Sequence, residues 1–200
     1  MEPQFDFAPA ARSLAAVVGE ITEDQFTDPT PCAGLTVRDL LAHVVGLSEA
    51  FRQAATKEAV GRSASPPSGA DSPLPDDWQT RIPAQLDALT AAWRAPEAWE
   101  GDTEAGGVVM PAVVMATVAL DELAIHGWDL AVATGQQLAV SPDDLAILTE
   151  FLRETDPEGT PGLFGPIVAV PADAPALDRL LGLTGRDPGW LPAIATDPRS

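Results

Sequence analysis

The sequence predicts an all-α protein, a four-helix bundle with short peripheral helices and an irregular C-terminal extension over about residues 156–200. Two observations carry this. Apolar residues form helical stripes in the first two of four helical segments and fill the fourth almost throughout, and no segment alternates apolar and polar residues long enough to argue for a sheet. Hydrophobic residues make up 46% of the 200, so a core can form without a disulfide or structural metal as a staple, and one domain spanning residues 1–200 is expected.

The first helix is expected from Ala8 to Ile21, where Leu14, Val17, Val18 and Ile21 share a face. A turn-rich stretch from Thr27 to Gly34 comes next, and Thr36 stands three residues before Asp39 in a capping-box pattern, with Asp in place of Glu. The second helix starts there and continues to about Lys57, with Val37, Leu40, Leu41, Val44, Leu47 and Phe51 as its apolar stripe. From Gly61 to Pro75 the chain is rich in Pro, Ser and Gly and is expected to be a mobile loop. The third helix spans Trp78 to Trp93, and Pro83 is expected to limit its regular part to the residues beyond the proline. After a break at Gly106-Gly107, the central helix runs from about Pro111 to Thr134, apolar almost throughout and capped by Gly135. A shorter helix from Pro142 to about Glu154 has Ser141 at its N-cap and packs outside the bundle core, and a last one is expected from about Ala174 to Leu183.

A net charge of -19 repels nucleic-acid phosphates and anionic lipid, so neither is an expected partner, and most of the acidity is read as a solvated coat. The single lysine, Lys57, beside abundant Ala and Pro suggests a GC-rich bacterial genome. Asp121, Glu122 and Asp129 interrupt the most hydrophobic region, so no membrane span is expected. One cysteine, Cys32, cannot form an intramolecular bridge, and the N-terminus lacks a basic-then-apolar secretory layout, so the cytoplasm is the expected location. Apolar faces left over on the bundle could support a homodimer.

The chain has only two histidines, His43 and His126, and both fall inside helical segments where solvent exposure is not expected. Glu122 precedes His126 by four residues, which puts the two side chains one turn apart on one face. Counting backwards by fours reaches Val118 and Val114, core-type residues, so this face is expected to point inward. A buried carboxylate needs a partner, and a cation supplies one. His43 lies on the inner stripe of its own helix, between Leu40 and Leu47, and completes a set of two nitrogens and one carboxylate suited to Zn²⁺ or another first-row divalent ion, with one position open. Asp39 and Asp129, one turn from His43 and His126, are candidates to accept the free imidazole N–H. The bland alternative is that both histidines are hydrogen-bonded core residues. Cys32 has only Arg38 nearby in sequence to lower its thiol pKa, so a small packed residue is its expected role. Trp128 is a candidate to line the pocket mouth or simply to pack. Arg38 and Arg52 are expected to flank the His43 face as candidates for binding the carboxylates of a small thiol cofactor or acidic substrate, with surface ion pairs as the alternative.

The segments TPCAGLTVRDLLAHVVGLSEAF (Thr30 to Phe51), ALDELAIHGWDLAVATGQ (Ala119 to Gln136) and GLFGPIVAVPADAPALDRLLGLTGRDP (Gly162 to Pro188) closely resemble actinobacterial metal-binding proteins related to the N-terminal domain of mycothiol-dependent maleylpyruvate isomerase, within the DinB-like superfamily. The resemblance implies a DinB-like four-helix bundle, with His43, Glu122 and His126 as metal ligands and mycothiol as a co-substrate. It departs at Leu35, where many relatives have tryptophan, and in the second domain that the isomerase proper carries. What it implies about activity is a metal-dependent thiol S-transferase or isomerase acting on a small electrophilic molecule. A metal-dependent hydrolase using a bound water and a non-catalytic metal- or ligand-binding bundle are the alternatives.

Overall fold

The computed structural model describes residues 1–61, 73–160 and 164–192. Its elements in chain order are α1 (Ala8–Glu20), α2 (Val37–Thr56), α3 (Trp78–Trp93), the strands β1 (Asp102–Ala105) and β2 (Val108–Pro111), α4 (Ala112–Ala133), α5 (Pro142–Phe151) and α6 (Ala176–Leu183). Both α3 and α4 pack against α1 and α2, so α1 opposes α2, and α3 opposes α4, across a four-helix bundle. Its core is filled by Leu14 and Val18 of α1, Leu40, Leu41 and Val44 of α2, Ile82, Leu86 and Leu89 of α3, and Met115, Leu120 and Leu123 of α4. The all-α four-helix bundle expected from the periodicity is the observed fold, and it is consistent with the DinB-like bundle that the resemblance implies. The stretch expected as a mobile loop lies largely outside the described residues.

Local chemistry sets where the site helices begin. At the start of α2 the Thr36 hydroxyl accepts from the Asp39 amide at 3.3 Å, while the Asp39 carboxylate accepts from the Thr36 amide at 3.1 Å. This reciprocal box satisfies two amides that a helix start leaves without partners. At the start of α5, Ser141 accepts from the Asp144 amide at 3.1 Å.

Two details differ from expectation. α3 is regular from Trp78 onward, with Pro83 inside it. Proline there removes only the bond to the Gln79 carbonyl, and the first turn is held by burial of Trp78 and Ile82 and by Gln79 donating to the Ile21 carbonyl at 3.1 Å. The second is the antiparallel hairpin β1–β2, with register Thr103↔Met110 and Glu104↔Val109, which stands where only a glycine break was expected. Gly106 and Gly107 have φ of 59° and 80°, the left-handed pair that a tight two-residue hairpin turn demands. Strands of four residues are too short to show a period of two, so Gly-Gly was their only legible mark. The hairpin joins α2 to α4: the buried Thr103 hydroxyl donates to the Ala54 carbonyl at 2.5 Å, and the Ala112 amide donates to the Gly101 carbonyl at 2.9 Å.

An aromatic cluster closes the hairpin end of the bundle. Phe5 meets Trp99 edge-on at 5.0 Å, and Trp93 meets Trp99 at 5.4 Å. The Trp93 indole N–H donates to the Phe51 carbonyl at 3.1 Å and that of Trp99 donates to the Trp93 carbonyl at 2.7 Å, so neither ring is buried with an unpaired donor. α5 packs on α4 and α6 and, against expectation, adds the fully buried Leu148 to the same core; it ends at Phe151, and α6 begins only at Ala176. Among the described residues no helix is long and apolar enough to cross a membrane. Trp93→Ala removes a fully buried ring and a hydrogen bond together, and a urea melt is expected to show a loss of about 3–5 kcal/mol.

Candidate metal centre

Adjacent packing of α2 on α4 places His43 opposite Glu122 and His126. The three donor atoms lie within 4.8 Å of one another. A single oxygen, Glu122 Oε2, is 3.3 Å from His43 Nε2 and 3.1 Å from His126 Nε2, and the two imidazole rings meet nearly edge-to-face, their centres 4.9 Å apart. Behind them, His126 Nδ1 is 3.0 Å from Asp129 Oδ2. The four side chains descend into the protein: His43 is 33% exposed, Glu122 22%, His126 11% and Asp129 fully buried.

This gradient corrects the expectation that both histidines are shielded. It also corrects the direction of the Glu122 face: Val118 is half-buried and Val114 is 40% exposed. Each step of four residues over-rotates a helix by about 40°, so the row leaves the core within two steps. The site therefore opens to solvent at His43 and is buried at His126 and Asp129.

The charges stabilise one another. Burial disfavours the charged form of His126, but the Glu122 charge and hydrogen bonds to Asp129 and Glu122 outweigh it and push the imidazole up to about 10. For Glu122, burial acts upward, and the two histidines hold the carboxyl well below the usual carboxylate range. Asp121, next along α4, is buried with Oδ1 lacking a hydrogen-bond partner among the described residues. Desolvation and repulsion from Glu122 push it up to about 7. Sequence reasoning treated it only as a charge interrupting an apolar stretch.

Arg186 was not foreseen at all. Its Nε and Nη2 donate to Asp129 Oδ1 and Oδ2 at 3.3 and 3.0 Å, so the carboxylate that holds His126 is itself gripped by a two-pronged guanidinium from the C-terminal segment. The only sequence cue was its place in the Gly-Arg-Asp-Pro run; no helical spacing links it to the histidines.

The remaining candidates fall elsewhere. The Asp39 carboxylate accepts from the amide and hydroxyl of Thr36 in the capping box, and no hydrogen bond joins it to His43 among the described residues. Arg52 is held by Glu49 and Glu58 at 2.8 and 2.9 Å. Arg38 and Arg52 stand about 140° and 180° around α2 from His43, so neither shares its face. Trp128 lies about 200° around α4 from His126 and is buried in the core, which makes it a packing residue rather than a pocket lip. Cys32 does have cationic neighbours in space. A set of donor atoms from Cys32, His126 and Asp129 lies within 4.8 Å, and burial raises the thiol pKa while His126 and Arg186 partly offset it.

Two imidazole nitrogens and a carboxylate oxygen on facing helices, with the buried imidazole oriented by a carboxylate behind it, form a donor set that could hold Zn²⁺ or a similar divalent ion. His43, one-third exposed, keeps the donor set open to solvent on one side.

Comparison with known proteins identifies the fold and the family. The chain is 29% identical over 201 aligned positions to an uncharacterized protein of Mycobacterium tuberculosis, found alike in strains CDC 1551 / Oshkosh and ATCC 25618 / H37Rv, with 93% of this chain and 98% of that protein covered. Among solved structures, the crystal structure of the mycothiol-dependent maleylpyruvate isomerase superposes with a TM-score of 0.55 at 17% identity, covering 73% of this chain. The present chain spans 66% of that protein's length, and the likeness establishes a shared fold. The profile of the mycothiol maleylpyruvate isomerase N-terminal domain matches residues 7–131, more than half of the chain and all but the last two residues of the bundle, with His43, Glu122 and His126 inside the match. The chain belongs to the mycothiol maleylpyruvate isomerase N-terminal domain family.

Proposed function

We propose that this protein is a metal-dependent enzyme that uses a low-molecular-weight thiol of the mycothiol type, acting in the cytoplasm as an S-transferase or isomerase on a small electrophilic molecule. The observation that carries this reading is the convergence of His43, Glu122 and His126 donor atoms within 4.8 Å at a rim where His43 is one-third exposed. Family membership supports a thiol co-substrate, and the related isomerase is by its own description mycothiol-dependent.

A divalent ion bound there, Zn²⁺ or a similar one, supplies Lewis acidity that lowers the pKa of a thiol or water nearby. The chain's own residues do the rest. Asp129 accepts a hydrogen bond from His126 Nδ1, which leaves Nε2 as the atom that would hold the ion. Glu122 provides the anionic ligand, and His43 completes the set from the second helix. Burial of Asp129 and His126 keeps water from competing for the imidazole N–H, while the partly exposed His43 side leaves access for thiol and electrophile.

Elemental analysis of untagged protein is expected to find about one equivalent of Zn, Ni, Fe or Mn, lost in His43→Ala, Glu122→Ala and His126→Ala; no metal even after reconstitution would end this reading. Metal-loaded protein is expected to consume mycothiol or accelerate isomerisation of an electrophilic substrate, and His126→Ala to abolish that turnover with helical circular dichroism retained. Loss of helicity in that variant would instead make the histidine a core residue.

A pH dependence arises from the same groups. His126 is raised from its ordinary value of 6.5 to about 10, so its contribution to the metal-free fold is complete below 6.5 and is lost as pH rises through about 10. Glu122 is lowered, so its contribution is present above ordinary carboxylate values and is lost as pH falls below them. Metal uptake takes the place of the His126 Nε2 proton. At pH 7 calorimetry in buffers of different ionisation enthalpy is therefore expected to show about one proton released per ion, with apparent affinity rising about tenfold per pH unit. Binding without proton release would place the ion elsewhere.

A further inference from the structure

We infer that Arg186 is a positioning residue for the metal site, coupling the C-terminal segment to His126 through the Asp129 carboxylate. The inference rests on the metal-binding reading of His43, Glu122 and His126 and extends it to a residue outside the span 7–131 that the family profile matches.

Asp129 has no solvent exposure, so its two oxygens depend wholly on protein partners. Oδ1 accepts from Arg186 Nε at 3.3 Å, and Oδ2 is shared between Arg186 Nη2 and His126 Nδ1, each at 3.0 Å. The planar fork of the guanidinium fixes the plane of the carboxylate, and that plane fixes the line along which Oδ2 meets the imidazole. The ring is then held from behind with Nε2 directed at Glu122 Oε2, 3.1 Å away. A carboxylate released from the fork can swing about its terminal torsion, and the imidazole loses its guide.

The C-terminal segment is built to deliver this side chain. The Arg186 amide donates to the Leu181 carbonyl at 3.0 Å and its Nη1 donates to the Thr184 carbonyl at 3.1 Å, so backbone and guanidinium are both anchored just beyond α6. Immediately before it, Gly185 has φ +78°, and a Cβ there would lie 2.9 Å from backbone atoms of Gly165. Two stretches of main chain thus cross at a distance only glycine permits, and the Val168 amide donates to the Gly182 carbonyl at 2.9 Å beside the crossing. The turn that carries Arg186 is locked against its neighbour rather than left as a free tail.

The test uses the full chain, wild type against R186Q and R186K, with zinc affinity measured by competition with a chromophoric chelator and the His126 Nδ1 proton followed by nitrogen-15 NMR. In R186Q zinc binding is expected to weaken about 10- to 100-fold, and in the metal-free protein the Nδ1 proton is expected to exchange faster with water. R186K, which keeps the charge but presents no fork, is expected to fall between R186Q and wild type. Wild-type affinity together with an unchanged Nδ1 proton in a folded R186Q overturns the inference. Should R186Q fail to fold by circular dichroism, R186K decides: weakened zinc binding sustains the coupling, and wild-type values in both measurements overturn it. Should the wild-type chain itself take up no zinc, the metal reading fails on its own, and the Nδ1 exchange rates in the metal-free variants still decide whether Arg186 holds His126.

Discussion

A carboxylate between two imidazoles is the constraint on which the rest of this structure depends. Glu122 sits on the most apolar helix of the protein, where a charge without partners would cost several kcal/mol. The two histidines of the chain both address one of its oxygens. That requirement reaches outward. To bring His43 across, α2 must lie against α4 in one register, and the capping box at Thr36 and the Thr103 bond to Ala54 hold its two ends. To keep His126 in place its other nitrogen needs an acceptor, which sets Asp129. To leave Asp129 buried, a guanidinium must come to it, which sets Arg186 and the course of the C-terminal segment.

The cluster formed in this way is nearly self-neutralising: Glu122 and Asp129 against Arg186 and a charged His126. Interior ions are tolerated when each has a close counter-charge and a hydrogen bond, and fail when one partner is removed. Asp121 marks the limit of that compensation. It has one oxygen without a hydrogen-bond partner among the described residues and is pushed toward the neutral form by burial and by Glu122. The site thus holds as many negative charges as its cations can support, with the next carboxyl along the helix driven to keep its proton.

What could be read in the sequence was what depends on short spacing. The Glu122–His126 pair and Asp129 are separated by four and three residues on one helix, and such separations translate directly into a shared face. His43 was legible through scarcity: with only two histidines, both on helical stripes, few arrangements were open. Spacing failed where two roles competed for one residue or where rotation accumulated. Asp39 satisfied both a capping box and a contact to His43 on paper, and the box prevailed because its partners are three residues away in the same chain. The Val118–Val114 row looked inward because the over-rotation of each four-residue step was neglected. Arg186 lay beyond reach for a different reason: its contact to Asp129 spans 57 residues and depends on a crossing of main chains near Gly185. No periodicity encodes such a contact. The hairpin was hidden by its brevity, although Gly106-Gly107 announced a turn.

The distribution of arginine narrows how a substrate can be recognised. Arg52 is committed to Glu49 and Glu58, Arg186 to Asp129, and Arg38 lies off the face of α2 that carries His43. A surface with net charge -19 attracts cations toward the site but works against the approach of anions. A thiol or electrophile bearing carboxylates would therefore meet no long-range pull and, among those three, no arginine that is both on the His43 face and free of an acidic partner. The half-buried Val118 and exposed Val114 continue the Glu122 row away from the imidazoles. On the proposed reading, recognition at this rim would fall to coordination by the bound ion and to apolar contact along α4. On the same reading, the shape and polarity of the proposed electrophile, more than its charge, would decide whether it is accepted.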